Sequence, residues 1–247
     1  MSLPDQIAVW LRERLVSAGA SGFVVGLSGG VDSATSAALA VHAVGPDHVL
    51  AALMPCHSQP EDAVLGQHVA DTFSIPTITV DLSEAYDALI SRLPPGSQSG
   101  GLASANVKPR LRMILLYYLA QSHNYLVLGS GNKTEIAVGY FTKYGDGGVD
   151  LLPLGGLYKT QVWELARQLG VPREVVERPP SAGLWPGQTD EGEMGITYRE
   201  LDRVLASIEA DDTSGIEPAT LEKVQRMVAR SEHKRTMPPV FRVDGYK

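Results

Sequence analysis

Residues 23–40 read FVVGLSGGVDSATSAALA, and the order of residue types in this stretch decides the fold. Phe23, Val24 and Val25 form a short apolar run, the mark of a buried strand. Ser28, Gly29 and Gly30 permit a tight turn with bared backbone N–H groups, Asp32 and Ser33 stand where a helix begins, and residues 34–44 continue that helix. A glycine-rich turn between a strand and a helix N-terminus presents unpaired donors at the positive end of the helix dipole, which suits an anion. A Walker A loop would need a lysine followed by Ser or Thr. This loop has none and carries Asp32 instead. A carboxylate beside a phosphate is repulsive unless a cation stands between them, so Asp32 is a candidate ligand of Mg²⁺, which is usually held by one or two carboxylates and phosphate oxygens. The alternative is a glycine turn that only joins strand to helix.

Working outward, the N-terminal residues 4–18 read as a helix with Ile7, Leu11 and Leu15 on one face, its charges excluding a signal peptide. After the central stretch, stopped by Gly45-Pro46, residues 49–54 are a second buried strand, parallel to the first across a one-helix crossover. Residues 61–73 are helical, 77–80 are a third strand, and Ser83 caps a helix through residue 92. Residues 93–105 (LPPGSQSGGLASA) lack periodicity and read as a mobile loop. A strong helix follows over 106–122, with Leu111, Ile114, Leu115, Tyr118 and Leu119 at helical spacing and Pro109 in its first turn. Residues 125–128 are a fourth strand ending in a second glycine turn, Gly129-Ser130-Gly131-Asn132. Residues 142–154 read as a loop, 160–169 as a helix, 179–195 as an irregular stretch fit for a lid or binding loop, and 198–209 and 218–233 as closing helices. Alternating β and α units predict an α/β fold: an open, doubly wound parallel sheet flanked by helices, with ligands at the C-terminal ends of its strands.

The chain has 247 residues, 44% of them apolar, which suits one globular domain over 1–247. Its net charge of −7, from 28 acids against 21 bases, argues against general nucleic-acid binding. No apolar run approaches the roughly 18 residues of a membrane span. Cys56 is the single cysteine, so no intramolecular disulfide forms, as expected of a cytoplasmic protein.

The stretch SGGVDS resembles the pyrophosphate-binding loop of the ATP pyrophosphatases. Further along come Lys108, Arg110 and Arg112 in two turns of one helix, then Glu135, the run TKYGD (142–146), Asp150, and LYKTQV (157–162). PPSAGLW (179–185), TDE (189–191) and HKR (233–235) complete the series. Together, in order and spacing, these motifs resemble the NAD synthetases over about residues 20–240, far more specifically than any one motif alone. The resemblance implies the adenine-nucleotide alpha-hydrolase-like version of the expected fold. It implies a reaction in which the nicotinate carboxylate of deamido-NAD attacks the α-phosphate of ATP, pyrophosphate leaves, and ammonia displaces AMP from the acyl adenylate to give NAD. Phosphate charges crowd such a site, and cations must offset them.

Carried over residue by residue, the resemblance makes Gly26, Leu27, Ser28, Gly29, Gly30, Val31, Asp32 and Ser33 the ATP-binding loop. Ser130 (more often threonine in the family), Lys159 and Ser181 become ATP contacts. Asp32 and Glu135 become the Mg²⁺ ligands, and Asp32 and Lys159 the residues on which catalysis rests. Arg110, Lys143, Asp150, His233 and Lys234 become contacts of deamido-NAD, although His233 equally suits a cation at a helix C-terminus. The implied assembly is a homodimer with deamido-NAD at the subunit interface. The chain leaves no room for a glutamine amidase domain, so free ammonia is the expected nitrogen source, and Cys56 reads as a small buried side chain. Competing readings are another ATP pyrophosphatase, such as a GMP-synthetase domain or a tRNA-thiolating enzyme, and a nucleotide-binding module without turnover. Absent cysteine pairs and a basic face weigh against a tRNA enzyme. Asp32, Glu135 and Lys159 together weigh against mere adenylate binding.

Overall fold

The computed structural model describes residues 1–94, 101–185 and 187–241. In chain order its elements are α1 (Leu3–Ala18), β1 (Gly22–Gly26), α2 (Val31–Val44), β2 (Val49–Leu53), α3 (Pro60–Thr72), β3 (Thr77–Thr79) and α4 (Ser83–Ile90). There follow α5 (Leu102–Ala105), α6 (Val107–His123), β4 (Tyr125–Leu128), α7 (Lys133–Val138) and α8 (Lys159–Leu169). The chain closes with α9 (Arg173–Glu177), α10 (Asp190–Met194), α11 (Tyr198–Glu209) and α12 (Pro218–Arg235). The four strands pair in parallel in the order β3-β2-β1-β4. The chain winds outward from β1 to β3 and then returns to lay β4 on the other side of β1, so the β1/β4 boundary is the switch point where open α/β sheets open a crevice.

Alternation along β1 distributes the core. Phe23 and Val25 pack with α1, α2, α8 and α9, while Val24 packs on the other face with α6 and its neighbours. A third cluster joins α7, α11 and α12 beside the sheet, with Trp163 bridging it to the first. Trp10 packs against the first cluster, and Cys56 lies fully buried in the second.

The structure departs from the sequence expectations in several places. Ser83 is the first residue of α4 and not its cap: Asp81 accepts the Ser83 N–H (2.8 Å), and the Ser83 hydroxyl accepts the His57 N–H (3.0 Å). Leu151, in the expected loop 142–154, makes a parallel bridge to Leu128. Residues 102–105 and 190–194 are short helices within stretches expected to be irregular. Residues 95–100 of the expected mobile loop, and Pro186 of the expected lid, lie outside the described residues. Of the residues at helical spacing in α6, Leu119 is buried and Leu111 and Leu115 pack against the core, but Ile114 and Tyr118 are 60% and 68% exposed, and Leu116 and Ala120 face the core in their place.

Candidate active site

The turn after β1 is built by its own side chains. Ser33 Oγ accepts the Ser28 N–H (3.3 Å) and donates to the Gly30 carbonyl (3.0 Å), and Ser28 Oγ accepts the Gly30 N–H (3.3 Å). Gly29 has φ +77°, and a Cβ there would stand 2.7 Å from the Asp62 carbonyl oxygen, so only glycine fits. Gly30, the N-cap of α2, contributes no side-chain cap, which leaves the first-turn N–H groups facing the crevice.

The second glycine turn faces it. Ser36 Oγ donates to the Gly129 carbonyl (3.0 Å), tying α2 to the end of β4. Asn132 caps α7 in a capping box with Glu135, and one residue contacts both expected carboxylates: its side-chain amide donates to Asp32 Oδ1 (2.9 Å) and its backbone N–H to Glu135 Oε2 (3.4 Å). Lys159, at the start of α8, is 1% exposed and ion-paired to Asp32 Oδ2 and to Glu135 Oε1 (3.3 Å). Asp202 and Thr134 secure that helix start. Asp202 accepts from the Thr160 N–H (2.9 Å) and the Thr134 hydroxyl, which in turn accepts the Lys159 N–H (3.0 Å).

The charges are strongly coupled. Burial works against the Lys159 ammonium, but Asp32 and Glu135 outweigh it and hold the proton on more tightly than usual. Burial raises the Glu135 carboxyl above its ordinary value, opposed by Lys159 and reinforced by Asp32. Tyr198 was not anticipated. Fully buried, it places its hydroxyl 2.9 Å from Asp190 Oδ2 and 3.2 Å from Glu135 Oε1, with its ring 4.8 Å below the Lys159 ammonium. Tyr140 extends the network from Asp190 (3.1 Å) to Glu193 (2.8 Å). Asn132 left a sequence signal, the Asn-x-x-Glu capping box; Tyr198, 63 residues from Glu135, left none.

Asp32, Glu135, Lys159, Tyr140, Asp190 and Glu193 face a cavity of about 590 Å³, a size suited to a nucleotide. Gly26, Leu27, Ser28, Gly30, Val31, Asp32, Ser33, Ser130, Glu135, Lys159, Ser181 and Lys234 all line it; Gly29, within the same turn, does not. Lys234 is held there by the carbonyls of Gly139 (2.7 Å) and Phe141 (2.9 Å). Arg110, Lys143, Asp150 and His233 stand outside the cavity lining. Arg110 and Lys143 meet at the Lys143 carbonyl, and the Lys143 ammonium reaches the His233 carbonyl. The Asp150 carboxylate is committed to the Val127 N–H (2.8 Å) and the Tyr117 hydroxyl (3.0 Å). Among the described residues no three His, Cys, Asp or Glu side chains gather into a metal-binding group. Asp32 and Glu135 nevertheless supply two hard oxygen donors, outnumber the one ammonium between them, and are 17% and 15% exposed into the cavity, a donor set that fits Mg²⁺ with phosphate oxygens.

The chain is similar to known proteins over nearly its whole length. The NH₃-dependent NAD⁺ synthetase of Carboxydothermus hydrogenoformans is 49% identical over 238 residues, covering 96% of this chain and 95% of the relative. The NMN synthetase structure from Francisella tularensis matches with TM-score 0.87 and 37% identity over 98% of both chains. The NH₃-dependent NAD synthetase structure from Campylobacter jejuni, in complex with the nitrate ion, matches with TM-score 0.83 and 25% identity over 97% of this chain and 98% of that one. Residues 3–238 match the family model of NAD synthase, and the chain belongs to that family.

Proposed function

We propose that this chain amidates deamido-NAD to NAD with ATP and ammonia, releasing AMP and pyrophosphate, and that residues 1–247 act as one catalytic unit. The observation that carries this is the meeting of the Ser28–Ser33 turn with Lys159, Asp32 and Glu135 at one cavity wall. An anion-binding helix start, a buried ammonium and a surplus of carboxylates are what a polyphosphate with its counter-ion requires. Asp32 and Glu135 would hold Mg²⁺, which offsets phosphate charge when bound.

The chain's own residues divide the work. The first-turn N–H groups of α2, with Ser28 and Ser33, hold the phosphates, and Ser130 and Ser181 bound the nucleotide. A nicotinate carboxylate oxygen bonds to the α-phosphorus while the bond to the pyrophosphate oxygen breaks, and that oxygen keeps the electron pair. Lys159, fixed as a cation, stabilises the charge that develops. Ammonia then adds to the acyl carbon, loses a proton, and AMP departs with the ester oxygen. Arg110, Lys143, Asp150, His233 and Lys234 bind deamido-NAD in this scheme. Only Lys234 reaches the cavity wall of one chain, which supports a second subunit completing that half of the site. A homodimer is therefore part of the proposal, as is a cytoplasmic setting. No helix among the described residues is long and apolar enough to cross a membrane.

The test is turnover of the purified chain with ATP and Mg²⁺, offering deamido-NAD or nicotinate mononucleotide, and ammonium or glutamine. NAD, AMP and pyrophosphate in equal amounts from deamido-NAD and ammonium is the expected result. The Francisella neighbour makes the mononucleotide the informative second substrate. Preference for it would reassign the acceptor while keeping the chemistry.

A further inference from the structure

Among the described residues, the lysines and arginines in the cavity wall are Arg112, Lys159, Arg178 and Lys234. Three of them are committed to the protein. Arg112 donates to the Met54 carbonyl (3.1 Å) and the Ser58 hydroxyl (3.2 Å), Lys159 serves Asp32 and Glu135, and Lys234 serves two backbone carbonyls. Arg178 differs. Its Nη2 is 2.7 Å from Asp62 Oδ1 and 3.8 Å from Glu61 Oε2, both at the start of α3. The other arm of the fork, Nη1, lies against the phosphate-binding turn, 3.3 Å from where a Cβ on Gly29 would stand. The guanidinium is thus layered onto the loop that presents the α2 N-terminus, with one arm held by carboxylates and the other toward the turn.

The chain around it favours a working position. Arg178 is the C-cap of α9, in extended conformation, and leads through Pro179-Pro180 to Ser181 in the cavity wall. The Pro180 carbonyl accepts the Asp190 N–H (3.0 Å), so the segment returns to the acidic side of the site. The pair is 26% and 20% exposed, wet enough to re-form with another anion. A guanidinium fork matches two phosphate oxygens at once, which a single ammonium cannot do.

We propose that Arg178 is a polyphosphate ligand, held on Asp62 in the free protein, that grips the β- and γ-phosphates of ATP and then the departing pyrophosphate. This rests on the polyphosphate site described above and adds a residue to it. When the bond from the α-phosphorus to its bridging oxygen breaks, the electron pair goes to pyrophosphate. A cation at the far end of the chain stabilises that charge without giving up a proton. Asp62 keeps the guanidinium at the turn before ATP arrives and competes with phosphate for it.

This division of roles sets opposite signs for two substitutions. Arg178→Met should weaken binding of inorganic pyrophosphate with Mg²⁺ by roughly 10- to 100-fold, as expected for one lost charge-assisted bidentate contact, and leave AMP binding as in the wild type. Asp62→Asn, which keeps the shape and removes the competing charge, should leave pyrophosphate binding unchanged or tighten it. If the ion pair only ties α9 to α3, both substitutions loosen the same segment and weaken both ligands together. Calorimetric titration of the full chain with pyrophosphate plus Mg²⁺, and separately with AMP, distinguishes the two. Unchanged pyrophosphate affinity in Arg178→Met, or a parallel loss of both ligands in the two variants, overturns the proposal. Should Arg178→Met not fold, Asp62→Asn decides alone, since weakened pyrophosphate binding there overturns it. A wild-type chain that binds no pyrophosphate would instead sink the polyphosphate site itself, and Arg178 with it.

Discussion

Among the described residues Lys159 is the largest fully buried side chain after Tyr198 and Phe23, and a lone ammonium could not stay there. Its burial is tolerated because two carboxylates share it. Removing one member of a buried pair leaves an uncompensated charge, at a cost of about 3–5 kcal/mol, whereas removing both can be nearly neutral. Lys159→Met should therefore lower the urea midpoint sharply, and Asp32→Asn added to it should restore much of the loss. The cycle of single and double variants, measured by denaturation, should be clearly non-additive. Asp32→Ala makes a different prediction, since Glu135 still pairs the ammonium. The fold should survive while NAD formation drops about 10²–10³-fold, the size expected when a contact to developing charge is lost. Circular dichroism beside the rate assay checks both halves, and near-normal turnover in a folded variant would remove Asp32 from the chemistry. The residue scale also shows what could be read in advance. Asp32, Glu135 and Lys159 carry motif signals and converge as expected. Asp190 falls in the TDE motif without an assigned role, and Tyr198 carries no motif signal, because the packing of α11 against α7 and α8 brings it to Glu135 and Asp190, and no local spacing encodes that approach.

At the scale of elements, helix starts organise this molecule. α7 begins on Asn132, α8 on the Thr134–Asp202 pair, and α1 on a capping box of Ser2 and Asp5. The last offers a clean measurement far from the site. The Asp5 carboxyl is lowered to about 2, first by the Ser2 hydroxyl and then by His42, which lies 3.0 Å away on α2. Its folded value lies below its unfolded one, so the stabilisation is complete above the ordinary carboxylate value near 4 and fades as pH falls toward 2. Asp5→Asn should accordingly be less stable than wild type at pH 6, and the gap should narrow steeply as pH falls from 4 to 2. Thermal midpoints across that range test it, and a difference that is undiminished at pH 2 would assign the effect to shape and not charge. Strands and long helices were the legible elements. β1, β2, β3 and β4 fall within a residue or so of their apolar runs, and α11 matches its periodic segment end to end. The short elements were not legible. α5, α7, α9 and α10 have four to six residues each, too few for a period to show, and they form because neighbours cap or pack them. Leu151 belongs to the same class, since its bridge to Leu128 depends on β4 being there first.

For the whole molecule, the informative departure is α6. Helical spacing places Leu111, Ile114, Leu115, Tyr118 and Leu119 together; Leu119 is buried and Leu111 and Leu115 pack against the core beside Leu116 and Ala120, yet Ile114 and Tyr118 stay at 60% and 68% exposure. A helix apolar on two sides has two surfaces to cover, and one chain covers only one. Arg110 lies one turn before Ile114 on the same helix and contacts Lys143, whose ammonium reaches the start of the HKR segment, so the exposed apolar face adjoins the basic rim outside the cavity. A second copy packed on Ile114 and Tyr118 would bury that face and bring a second basic rim to the site, which is how a homodimer would hold deamido-NAD between subunits. The pair Ile114→Glu and Tyr118→Glu should then convert the protein to monomers, seen by sedimentation velocity, because four like charges would face each other across a two-fold contact. The affinity for deamido-NAD should fall in step with dissociation, while binding of ATP, which the cavity of one chain walls by itself, should change far less. Monomers that keep full affinity for both substrates would show that one chain completes the site. A variant that stays dimeric would place the interface elsewhere.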